Sequence, residues 1–338
     1  MGLKDIGEFG FISRISPQCL IRRDGVYKAI GDDSAAFWAA QGELTLLTTD
    51  LLVEGVHFYP GVSSGFNLGQ KALAVNLSDI AAMGGTAREA FVSLGIPERY
   101  SLAYLDDLYR GMQHLAREFS VNILGGDTTG SRQDLIINIA LTGSVSENEI
   151  LCRDRAIPGD LICSTGFLGD SRAGLHLILK AIPRDTPELE KLFQAHVLPR
   201  PCLREGRFLA AAGATAAIDV SDGLSSDLSH LLASSGTGAR IKAGQLPISS
   251  ELESFCARFG FDPVEFALAG GEDYTLLFTV RPDEADRLAD GYQEKFGTVF
   301  RILGEMTDTG RLELVTASES IVPLEPGGWN HFQQDGAS

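Results

Sequence analysis

Six short clusters of carboxylates and hydroxyls recur along the chain. They are Gly31-Asp32-Asp33-Ser34, Thr48-Thr49-Asp50, Asn76-Leu77-Ser78-Asp79, Gly125-Gly126-Asp127-Thr128-Thr129, Asp219-Val220-Ser221-Asp222-Gly223 and Gly270-Gly271-Glu272-Asp273. Each alone has an ordinary explanation. Ser or Asp after a strand caps a helix, and Asp-Asp or Gly-Gly makes a turn. Repetition changes the reading, because a fold needs only a few such caps. Carboxylates and hydroxyls gathered again and again at the ends of apolar elements suggest a shared centre built from hard oxygen donors. Such donors select Mg2+ or Ca2+.

The elements that must position these groups follow from hydrophobic period. Ala217, Ile218 and Val220 read as a buried strand end, and Leu224, Leu228, Leu231 and Leu232 mark one face of a helix. Asp219 therefore sits inside an apolar strand, where a carboxylate is costly without a partner. Leu44 to Thr49 reads as a strand that ends at Asp50. His57 lies between Val56 and Phe58, as a packing residue or as a donor to a ligand near Asp50. Leu68 to Met83 is apolar all round and predicts a buried helix stopped by Gly84-Gly85, with Asn76 and Asp79 on one side at i, i+3. A carboxylate there needs a nearby cation, or hydrogen bonds from backbone or Asn76.

Ala90–Ile96 predicts a strand. Leu105, Leu108, Met112, Leu115 and Phe119 mark a helix with Tyr109 beside the stripe. Val121–Leu124 predicts a strand running into Gly125-Gly126-Asp127, and Leu135–Val145 alternates as another. Residues 147–159 turn polar, with Arg153 and Pro158-Gly159, so the domains are placed at 1–148 and 149–338. Beyond lie a strand at 161–164, a helix at 171–180, and strands at 274–280 and 299–303. The fold class is α/β (α+β) in two domains. The tail carries Trp329, which either packs down or stacks on a flat ligand.

Composition narrows the partners. At 338 residues the chain is long enough for two full cores, and 44% of it is hydrophobic. Acidic residues outnumber basic ones 45 to 28, a net charge of −17, which argues against nucleic acid. No run is long enough to span a membrane, and the N-terminus lacks the layout of a signal peptide. The five cysteines are scattered and free of C-x-x-C spacing, as expected of reduced thiols in a cytoplasmic protein. Neither Walker-type nor dinucleotide-binding glycine motifs occur.

As an ordered set, these motifs resemble the thiamine-monophosphate kinase family. The residues concerned are Gly31-Asp32-Asp33, Thr48-Thr49-Asp50, the run from Lys71 through Asn76 and Asp79 to Gly84, Gly125-Gly126-Asp127-Thr128-Thr129, Asp219-Val220-Ser221-Asp222-Gly223-Leu224 and Gly270-Gly271-Glu272-Asp273-Tyr274. That family belongs to the aminoimidazole-ribonucleotide synthetase superfamily, and the resemblance runs from about residue 5 to Phe332. It implies a two-domain aminoimidazole-ribonucleotide-synthetase-like fold whose N-terminal domain binds ATP and magnesium and pairs its sheet across a homodimer. It implies ATP-dependent phosphorylation of thiamine monophosphate to thiamine diphosphate with several Mg2+ ions. By motif, Asp33, Thr48, Thr49, Asp50, Asp79, Asp127, Asp219 and Asp222 are implied magnesium ligands, with Asp32 in support. Tyr109, Gly126, Asp127, Arg153 and Ser221 are implied ATP contacts, and His57, Glu272 and Trp329 implied contacts to thiamine monophosphate.

No catalytic base is expected. The acceptor is a phosphate monoester, mostly dianionic at neutral pH, and phosphoryl transfer needs alignment and charge neutralisation more than proton transfer. The alternatives are another ATP-using member of the superfamily, such as an aminoimidazole-ribonucleotide synthetase, or a non-catalytic divalent-metal-binding protein. Cys19, in Pro17-Gln18-Cys19-Leu20, lacks the glycine-rich setting expected of the selenophosphate branch. EF-hand spacing is absent.

Overall fold

Burial that alternates along the strands builds the first sheet. The structure, a computed structural model, describes residues 14–28, 36–37 and 43–328. Asp32, Asp33 and Trp329 lie outside the described residues. Strands β1 (Val26–Lys28) and β2 (Ala36–Phe37) pair as an antiparallel ribbon. Next come β3 (Glu43–Val53), α1 (Gly65–Ala82), β4 (Thr86–Pro97), α2 (Leu102–Phe119), β5 (Asn122–Ser131) and β6 (Ile136–Ser146). The four longer strands form one sheet in the order β3-β6-β4-β5. β6 is antiparallel to both neighbours, and β4 and β5 run parallel through α2. α1 is buried on almost every side, as its composition predicts. α2 starts where the Ser101 hydroxyl accepts from the Tyr104 amide at 3.2 Å, and ends at left-handed Ser120.

The second sheet is larger and mixed. Its elements are β7 (Leu161–Ser164), α3 (Asp170–Leu179), α4 (Pro187–Val197), α5 (Leu203–Ala212), β8 (Ala216–Asp219), α6 (Leu224–Ser235), β9 (Gly238–Lys242), α7 (Ser250–Phe259), α8 (Pro263–Ala269), β10 (Leu276–Val280), α9 (Pro282–Phe296), β11 (Arg301–Thr307), β12 (Leu312–Val315) and β13 (Ile321–Pro323). The strand order is β13-β12-β9-β11-β7-β10-β8, with only β12 and β9 parallel. The expected stripe Leu224, Leu228, Leu231 and Leu232 on α6 packs with Ile162, Ile218, Ile241, Leu277 and Leu303 from the strands. Each such leucine contributes about 2 kcal/mol by leaving water. This core fixes the end of β8, where Asp219 and the Ser221-Asp222 turn emerge.

By its internal contacts the chain forms two units. One runs up to Ile80 and resumes over Gly85–Asn148; the other takes Ala81–Gly84 and Glu149 onward. Two acidic clusters do not end their elements as the sequence suggests. Thr48-Thr49-Asp50 lies inside β3, which continues to Val53, and Gly125-Gly126-Asp127 lies inside β5, which continues to Ser131. The cause is pairing. β6 opposes β3 residue for residue from Glu43 to Val53, so a carboxylate in mid-strand is carried along. Thr128 and Thr129, good strand formers, pair with Leu94 and Gly95 of β4 and prolong β5 past the aspartate. Among the described residues, no helix is long and apolar enough to cross a membrane.

Candidate functional site

In the first unit, β3 presents its polar residues to two sides. Thr48 and Asp50 are half-buried, and Thr49 is exposed. The Thr48 hydroxyl donates to the Asp79 carboxylate of α1. The Asp50 amide donates to Asn76 Oδ1 at 3.2 Å, and Asn76 Nδ2 donates to the Ala72 carbonyl at 3.1 Å. The i, i+3 pair Asn76 and Asp79 therefore meets Thr48 and Asp50, and the carboxylate inside the helix has a hydroxyl partner. Thr49 points the other way, where Asn138 Nδ2 of β6 donates to its hydroxyl at 2.9 Å.

Register locates Asp127 and Gly126. Asp50 pairs with Ile139, Ile139 with Val92, and Val92 with Gly126, so Asp50 and Gly126 end one row across the sheet. Three strand spacings separate them, roughly 14 Å. Asp127 is one step on and exposed, its Oδ1 accepting from the Thr128 amide at 2.9 Å. Asp50 and Asp127 thus stand at opposite ends of a row, not around one point. Gly126 has a reason of its own: at φ +147° a Cβ would sit 1.6 Å from the Val92 carbonyl, so β4 alone demands glycine.

His57 sits in the turn after β3. Its Nδ1 accepts from the Val53 amide at 3.0 Å, which puts the hydrogen of the neutral ring on Nε2. Lys71 Nζ donates to the His57 carbonyl at 3.2 Å. Tyr109 is buried in α2, and burial raises its hydroxyl pKa. It borders a cleft of about 400 Å³ together with Arg14, Gln18, Asp106 and Arg110.

In the second unit, Asp219 is the last residue of β8 and 3% exposed. The turn after it is caged from below. Asp227 Oδ2 accepts from the amides of Ser221, Asp222 and Gly223 at 3.0, 3.1 and 3.0 Å. Burial, then Asp219 and Asp222, push the Asp227 carboxyl up to about 8. The Gly270-Gly271-Glu272-Asp273 turn is strapped to the same loop. The Glu272 amide donates to the Ser221 carbonyl at 2.8 Å, and the Tyr274 amide to the Val220 carbonyl at 2.9 Å. Glu272 and Tyr274 take left-handed φ of 62° and 49°, strain held by those two bonds. Ser221, Asp222 and Glu272 are thereby brought together next to Asp219.

Asp273 serves the fold. Its carboxylate accepts from the Gly169 and Ser171 amides at 2.6 and 3.1 Å, capping α3 where Gly169 has no side chain to do so. Arg153 is exposed on the connection before β7, its carbonyl accepting from Ser235 Oγ at 2.7 Å. Sequence reasoning missed Asp227, Asp273 as a cap, and His196 of α4. The available signals were an aspartate in the first turn after a glycine, and a histidine on the apolar stripe Leu189, Leu192, Phe193, Val197.

The donor set suits Mg2+ in kind, being carboxylate and hydroxyl oxygen throughout. Among the described residues, no three His, Cys, Asp or Glu side chains gather closely enough to hold a metal ion by themselves.

Comparison with known proteins gives the class first. Residues 31–145 match the N-terminal domain of AIR synthase related proteins, and residues 158–317 match their C-terminal domain. Thiamine-monophosphate kinase of Aquifex aeolicus is 35% identical over 98% of this chain and 100% of its own length, and that of Bacillus subtilis 33% over 96% and 99%. The crystal structure of thiamine-monophosphate kinase from Stenotrophomonas maltophilia superposes with a TM-score of 0.82 at 35% identity, covering 91% of this chain and 96% of that one. A structure described as AaThiL complexed with AMPPCP and TMP gives 0.78 at 32% identity over 98% and 99%. The chain belongs to the thiamine-monophosphate kinase family, which makes it a phosphotransferase.

Proposed function

We propose that this chain transfers the γ-phosphoryl group of ATP to thiamine monophosphate, giving thiamine diphosphate, by direct in-line displacement with Mg2+. The observation that carries the reading is the near full-length match, at 32% identity, to a structure described as complexed with AMPPCP and TMP. Asp50, Asp79, Thr48, Thr49 and Asp127 of the first unit, Asp219 and Asp222 of the second, and Asp33 are the proposed magnesium ligands. Gly126, Asp127, Tyr109, Arg153 and Ser221 are the proposed ATP contacts. His57, Glu272 and Trp329 are the proposed contacts to thiamine monophosphate. We also assign the protein to the cytoplasm, in keeping with five free cysteines.

The chemistry fits these residues. Two phosphate esters must meet at a protein of charge −17. Mg2+ held by these carboxylates and hydroxyls would supply the positive charge that offsets their repulsion. The protein's own task is to hold carboxylates still and to orient the dianionic acceptor, whose oxygen needs no base. The test is formation of ADP and thiamine diphosphate from ATP and thiamine monophosphate with Mg2+. ATP consumption that ignores thiamine monophosphate would overturn the proposal, as would a phosphorylated protein intermediate.

The exposed side of the first sheet supports a homodimer. Leu47 and Leu51 on the edge strand β3 are 72% and 52% exposed and lie on its outer face with Thr49. A second copy laid against that face would cover them.

A further inference from the structure

We infer that His196 is a positioning residue that holds the Glu272 carboxylate in its binding orientation, an inference that rests on Glu272 being a substrate contact. His196 is 4% exposed on α4, in line with Leu189, Leu192, Phe193 and Val197. A histidine on such a stripe must find polar partners. It has two. Its Nδ1 lies 3.2 Å from Glu272 Oε2 and 3.1 Å from Ser171 Oγ. The inference takes the tautomer with the hydrogen on Nδ1, because the Glu272 carboxylate can only accept while the Ser171 hydroxyl at the same edge of the ring can accept or donate.

The backbone is arranged to make this contact. Gly174 of α3 lets α4 approach: a Cβ there would stand 2.2 Å from the Leu192 carbonyl and 2.9 Å from His196 Cβ. Ser171 is fixed by the hydrogen bond its amide donates to Asp273, the residue after Glu272. Glu272 itself sits at φ 62° with its amide on Ser221. One acidic dipeptide is therefore gripped twice by the α3–α4 pair: Asp273 by the start of α3, and Glu272 by His196. A glutamate on a strained turn has several rotamers open to it. The imidazole restricts them before any ligand arrives, lowering the ordering cost of binding.

The test compares His196→Asn with His196→Gln. The Asn amide can reach the place of Nδ1, and the Gln amide reaches the place of Nε2. His196→Gln is expected to raise the KM for thiamine monophosphate about tenfold, the loss of one charge-assisted hydrogen bond. The KM for ATP stays unchanged, and His196→Asn stays close to the parent protein. In a Glu272→Ala background, His196→Gln adds no further change. Thermal melts establish that both variants are folded. If Glu272→Ala raises the KM for thiamine monophosphate while the Gln and Asn variants behave alike, the positioning role is overturned and the substrate reading of Glu272 stands. If Glu272→Ala leaves that KM unchanged, the reading of Glu272 itself fails and takes this inference with it.

Discussion

Asp227 shows why a site is more than its ligands. Its one carboxylate oxygen collects three consecutive amides, so the Ser221-Asp222 turn has a single shape. Asp227→Ala leaves one buried and two partly buried amides without their acceptor and is expected to cost about 1–3 kcal/mol, read as a shift in urea midpoint. Asp50 makes the opposite case. The hydrogen bond its backbone amide donates to Asn76 survives Asp50→Asn, so the melting temperature should stay within about 2 °C. Turnover should fall by about a hundredfold or more through loss of a charge proposed to hold Mg2+. Near-parental turnover would remove Asp50 from the mechanism. The sequence singled out Asp50, Asp79 and Asp222 as candidates because oxygen donors in repeated clusters are conspicuous. Asp227 and His196 were not legible, because one acidic residue in a helix and one histidine in an apolar stripe resemble ordinary capping and packing until their partners are seen.

Elements were legible by period and less so by extent. The stripe of α6 and the all-apolar α1 followed directly from spacing. β3 and β5 overran the aspartates expected to end them, because pairing with β6 and β4 depends on residues distant in sequence. The start of α3 carries a testable pH effect. Asp170 accepts from Ser249 Oγ at 2.6 Å, yet burial, and then Glu251, push its carboxyl up to about 6. The unfolded chain releases that proton near pH 4. Between about pH 4 and 6 the native state binds more protons than the unfolded one, so stability falls as pH rises through this window and levels above it. Asp170→Asn keeps the acceptor and removes the charge. It should add on the order of 1–2 kcal/mol at pH 7.5 and little at pH 4, by denaturant titration at both values. Equal gains at both would sink the account.

At the scale of the whole molecule, the outer face of the first sheet makes the clearest demand. Leu47 and Leu51 leave a greasy strip on an edge strand. Leu47→Lys with Leu51→Lys should convert a self-associated species to monomer in sedimentation velocity, and an unchanged sedimentation coefficient would refute pairing through this face. Legibility at this scale came from the ordered set of motifs rather than from any one element, since the sheet orders join strands that no local pattern connects. The strip has a thermodynamic corollary. If a twin completes that surface, heat resistance is tied to mass action: dilution then lowers the unfolding midpoint and concentration raises it. A single quoted melting temperature then has little meaning without the protein concentration beside it.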